Sequence, residues 1–134
     1  MKKIYLICLL VTIVFFSCNI EGIGGRCTIK GKVKIQMINL SNGNIIAEAY
    51  SPKQDVYIEY GDNSYFDDEI KTDKDGEFQF PFLHKGIYRV YVYSQCIITP
   101  PDSCLLGKEA ILQEVELTKS GETTIQDIVI KSYL

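Results

Sequence analysis

The residues of this sequence with chemistry to offer are five cysteines, a single histidine, an Asp-x-Asp-Gly stretch and a set of tyrosines spaced by two. Cys8 and Cys18 belong to the amino-terminal region, which leaves Cys27, Cys96 and Cys104 for the folded part. In an oxidising compartment an odd number would predict one disulfide and one remaining thiol. Pairing Cys96 with Cys104 would close a short loop that Pro100 and Pro101 already stiffen, and Cys27 with either of them is the alternative. No two of the three have the close spacing of a zinc knuckle, so no metal and no other cofactor is expected. Asp73-x-Asp75-Gly76 opens like a calcium loop, but the chain runs directly into a Phe-rich strand without the bidentate Glu that such a loop requires. Asp73 is therefore read as capping a β-turn. His84 stands alone beside Lys85, too isolated for a metal triad or a Ser-His-Asp arrangement, and no catalytic residue is assigned. Tyr57, Tyr91 and Tyr93 share outward strand parity. They could stack on sugars or on a protein partner, or cover a sheet edge and one another.

The elements that must hold these residues are strands. From Cys27 to Met37 the apolar residues Cys27, Ile29, Val33, Ile35 and Met37 alternate with Thr28, Lys30, Lys32, Lys34 and Gln36, a strand with one face buried and one in water. Further short strands are predicted at Ile45 to Tyr50, Val56 to Tyr60, Tyr65 to Thr72 (a polar edge), Glu77 to Phe82, and Ile87 to Tyr93. Ala110 to Leu117 and Thr124 to Ile130 read as a final pair around Lys119-Ser120-Gly121. Phe78, Phe80 and Phe82 share one parity and are expected as core anchors, with Tyr88, Val90 and Val92 facing them. No window has helical periodicity. Seven or eight strands without helices predict an all-β, antiparallel two-sheet sandwich.

A chain of 134 residues that is 46% apolar and carries a formal charge of −3 is one domain, and its mild acidity without a basic cluster predicts no nucleic-acid binding. The amino terminus departs from that average. Met-Lys-Lys precedes an apolar run from Ile4 to Phe16, which as a helix would span roughly 20 Å, short of the roughly 30 Å hydrocarbon core of a bilayer. It reads as an export signal. The following Phe15-Phe16-Ser17-Cys18 resembles the lipobox of bacterial lipoproteins, with phenylalanines at the two positions before Ser17. The resemblance implies cleavage after residue 17 and lipidation of Cys18, hence an anchor of several acyl chains in the membrane. Residues 18–26, rich in glycine, are expected as a flexible tether, and residues 27–134 as the sandwich.

Thr72-Asp73-Lys74-Asp75-Gly76-Glu77-Phe78-Gln79-Phe80, with Leu83, Gly86-Ile87-Tyr88-Arg89-Val90-Tyr91-Val92 and the opening Ile29-Lys30-Gly31-Lys32-Val33, resembles the carboxypeptidase regulatory-like domains. These stand with collagen-binding B-type repeats and transthyretin among the prealbumin-like sandwiches. The resemblance implies a Greek-key, prealbumin-like fold. B-type repeats often carry an internal isopeptide bond; Lys30, Lys32 or Lys34 with Asp127 and Glu77 would form it here, but strand parity turns the lysines to solvent. Transthyretin-like hydrolases use several histidines and a carboxy-terminal Tyr-Arg-Gly-Ser, where this chain has Lys131-Ser132-Tyr133-Leu134, so no enzyme is expected. The expectation is a lipid-anchored envelope protein acting as a non-catalytic binding, scaffolding or assembly module, at the outer membrane and facing the periplasm. Its partners would be the membrane, through the anchor, and an envelope protein or glycan. The alternatives are an accessory subunit of a fimbria or adhesin, and a carbohydrate-binding accessory lipoprotein of a glycan-uptake system.

Overall fold

A computed structural model describes residues 20–97 and 104–134, so the expected export signal and the lipidation expected at Cys18 lie outside the described residues. The long strand β1 (Ile23–Ile38) organises one sheet. On one side it pairs antiparallel with β2 (Ile45–Tyr50) and β5 (Glu77–Leu83), and it pairs parallel with β8 (Gly121–Thr124) and β9 (Ile128–Tyr133). The second sheet runs β4-β3-β6-β7, from β3 (Asp55–Tyr60), β4 (Asp68–Lys71), β6 (Gly86–Gln95) and β7 (Lys108–Leu117), all antiparallel. The expected all-β, two-sheet sandwich is what forms.

Period-two alternation places its core. Ile29 and Val33 from β1, Val56 and Ile58 from β3, and Val90 and Val92 from β6 are fully buried between the sheets. Tyr88 is fully buried with them, as its parity predicts. At the far end, the buried Ser94 Oγ accepts the Lys131 N–H at 2.8 Å and ties β6 to β9. The Asp73 turn is also as expected. Its Oδ1 accepts the backbone N–H groups of Asp75 and Glu77, both at 2.9 Å, which sets up the return into β5.

Four expectations are corrected. The described residues hold nine strands, not seven or eight. The final two segments do not form a hairpin with β7: the chain leaves the second sheet after Leu117 and lays β8 and β9 parallel against β1. β1 begins at Ile23, so residues 23–26 belong to the sandwich and not to a tether ending at residue 26. Phe82 is not a core anchor. The β1–β5 register shifts beside Pro81, Phe82 adopts φ 59°, and Leu83 takes the inward place at 1% exposure while the Phe82 ring is 67% exposed. A side chain held at positive φ costs about 1–2 kcal/mol.

Candidate functional site

The outer face of the second sheet gathers the three tyrosines. In β3 and β6 every second residue points away from the core, and the register sets Tyr57 beside Tyr91, Tyr91 beside Leu112 of β7, and Tyr57 beside Glu69 of β4. The Tyr57 and Tyr91 rings stack with centroids 5.3 Å apart and 20° between planes. Tyr93 meets both edge to face, at 5.6 Å in each case. Phe66, in the loop before β4, closes on Tyr57 at 5.1 Å. Offset and edge-to-face contacts of this kind suit the ring quadrupole and make the cluster a rigid plate.

The plate is unequally exposed. Tyr91 is on the outer face as expected, but its neighbours cover it to 7% exposure, which corrects the expectation of an open ring. Tyr93, Phe66 and Leu112 remain 46%, 50% and 48% exposed. With Tyr65 and Glu59 they line a shallow cavity of about 350 Å³. Along one margin runs a polar row. Arg89 Nη2 donates to Glu59 Oε2 at 2.9 Å and to the Asn63 carbonyl at 2.6 Å, while Arg89 Nε is buried without a hydrogen-bond partner among the described residues. Burial, followed by the neighbouring Tyr93 and Glu59, pushes the Tyr91 phenol up to about 12. Burial, then Asp55 and Glu69, raises that of Tyr57 as well. Both phenols are therefore neutral near pH 7, and a neutral phenol can donate a hydrogen bond. Open aromatic faces beside fixed polar groups can take a ligand with apolar C–H faces and hydroxyl edges.

Sequence reasoning missed Phe66, Tyr65, Leu112 and the Arg89–Glu59 pair. Residues 65–67 lie in a loop, because β4 begins at Asp68. The signal that could have found the others is the parity already applied to the tyrosines: Glu59 is two residues from Tyr57, and Arg89 two from Tyr91.

The remaining candidates lie elsewhere. Cys96 and Cys104 are joined as a disulfide with Cα atoms 6.1 Å apart, and Cys27 is a free, buried thiol whose Sγ donates to the Lys119 carbonyl at 3.3 Å. The alternative pairing of Cys27 is thereby overturned. His84 is exposed in the β5–β6 turn. Lys30 and Lys32 pair with Glu122 and Glu77, each at 2.7 Å, on the solvent side, and Asp127 accepts the Tyr50 hydroxyl at 3.2 Å. Among the described residues, no group of three His, Cys, Asp or Glu side chains is placed to hold a metal ion, and no helix is long and apolar enough to cross a membrane.

No protein-family model matches the chain, and no curated protein does. Among solved structures, the chain is similar to one described as a "putative carbohydrate binding protein" of Pseudomonas aeruginosa, with a TM-score of 0.51 and 14% identity over 83% of this chain and 91% of that one. The two share a fold.

Proposed function

We propose that this protein is an exported, lipid-anchored and non-catalytic binding module of a bacterial envelope, and that its ligand is a glycan held on the outer face of β3 and β6. The observation that carries the reading is the half-exposed Tyr93 ring, standing on the buried Tyr91 and facing Phe66 and Leu112 across an open cavity. Exposed rings with a polar margin suit a pyranose, whose C–H faces pack on Tyr93 and Phe66 while its hydroxyls meet Glu59 and Arg89. The described activity of the Pseudomonas aeruginosa neighbour supports the same ligand class. The lipobox resemblance at Cys18 supports the anchor.

Glycan-array binding by the purified protein tests the site. Tyr93→Ala removes a half-exposed ring, so it is expected to cut binding at least about tenfold, the equivalent of 1.4 kcal/mol, while a far-UV spectrum unchanged from the parent shows that the sandwich still folds despite the lost contacts to Tyr57 and Tyr91. Failure of the unaltered protein to bind any glycan would overturn the reading. The exposed edge strand β2, open along all six residues, would then direct attention to the fibre-subunit alternative.

A further inference from the structure

The end of the sandwich where the chain enters carries a second surface, remote from the tyrosines. Gly22 is fixed there. Its N–H donates to the Tyr88 hydroxyl at 2.9 Å, that hydroxyl donates to the His84 carbonyl at 2.8 Å, and the His84 N–H donates to the Gly22 carbonyl at 2.8 Å. Because Tyr88 is fully buried, this knot ties residue 22 to the body of the fold. Around it Ile20, Ile23 and Phe82 are 73%, 66% and 67% exposed. Ile23 is the register partner of Leu83, the neighbour of Phe82. Phe82 reaches solvent through the register shift beside Pro81 and its positive φ, so a strained backbone holds an aromatic ring in water. Beside these residues a cavity of about 470 Å³ is lined by Ile20, Arg26, His84 and Lys85, and the exposed Lys119 stands next to Ser120 at its rim. The adjacent carboxylate of Glu21 packs against Gly61 and Gly86 instead.

Chain length turns this surface into a constraint. Cys18 and Gly22 are four residues apart, a reach of at most about 14 Å when fully extended. The polar layer of each leaflet is itself roughly 5–8 Å thick. With Cys18 acylated, the knot at Gly22 therefore holds this end of the sandwich at the headgroups.

We infer that the chain-entrance end of the sandwich docks on an anionic phospholipid surface, with Ile20, Ile23 and Phe82 entering the headgroup layer and Arg26, Lys85 and Lys119 meeting the phosphates. This rests on the lipid-anchor reading above. Apolar side chains flanked by cations are the composition that binds such an interface, and the acidic Asp62 and Glu116 lie on the Ile87 side of this end, away from Arg26 and Lys119.

The chain contains no tryptophan, so one introduced indole reports alone. The full-length lipidated protein is reconstituted into phosphatidylcholine–phosphatidylglycerol vesicles whose acyl chains are brominated. Phe82→Trp and, as an independent reporter, Ile23→Trp are expected to lose several-fold more fluorescence than Leu40→Trp, a 58% exposed position beyond the far end of β1. Reversing charge with Arg26→Glu and Lys85→Glu is expected to narrow that difference. Equal, weak quenching at all three positions, in protein that floats with the vesicles, overturns the docking surface and leaves the anchor standing. Protein that does not float with the vesicles overturns both.

Discussion

Tyr91 and Tyr93 are two residues apart on one strand face, yet they do different work. Tyr93 is the half-exposed ring that the proposed ligand would meet, whereas Tyr91, at 7% exposure, is the packed base on which that ring stands. The buried phenol makes the division measurable. Its folded-state value of about 12 lies above the ordinary 10.0, so folding favours the protonated form. The stabilisation is fully present below pH 10 and is lost as pH rises toward 12, because the unfolded chain ionises first. Alkaline titration followed by tyrosinate absorbance is expected to show a late group of phenols, Tyr57, Tyr60 and Tyr88 together with Tyr91, in which Tyr91 accounts for one step. Tyr91→Phe is expected to remove that step and flatten the stability loss above pH 10; a variant that loses stability just as steeply would contradict the assignment.

At the scale of elements, alternation was legible wherever a strand keeps its period. Ile29, Val33, Val90 and Val92 lie where their parity puts them. What parity cannot carry is a register shift. Phe82 shares the parity of Phe78 and Phe80, but the bulge at Pro81 moves it outward; a proline inside a strand pattern was the available signal. Nor can local pattern distinguish a hairpin from a crossover, since β8 and β9 show the same alternation whether they pair with β7 or with β1. The tyrosine face was half legible for the same reason: strand residues were found by parity, while Phe66 arrives on a loop. One element-scale device is Gly31, the register partner of Phe78. A Cβ there would lie 2.5 Å from Phe78 Cζ and 2.9 Å from Ile125 Cγ1, so the glycine lets both side chains close over β1. Gly31→Ala is expected to destabilise by about 1–3 kcal/mol, read as a lower denaturant midpoint at unchanged slope.

For the whole molecule, charge and length set the two surfaces apart. The protein is acidic overall, at −3, and Glu59, Glu69 and Glu114 stand on or beside the aromatic face, so an anionic membrane repels that face and attracts the end bearing Arg26, Lys85 and Lys119. β6 runs from Gly86 at the proposed docking end; Arg89 lies three residues along it and Tyr93 seven, about 10 Å and 23 Å from Gly86 at 3.3 Å per residue. With β6 standing away from the bilayer, a glycan on Tyr93 would lie beyond the headgroups, and the two surfaces should fail separately. Tyr93→Ala is expected to weaken glycan binding at least about tenfold while leaving acyl-chain quenching of an Ile23→Trp reporter unchanged. Phe82→Gly, which removes both the ring and its backbone strain, is expected to weaken that quenching while glycan affinity holds. Should either substitution move both readouts, the sandwich would be using one continuous surface, and the separation by the length of β6 would be wrong.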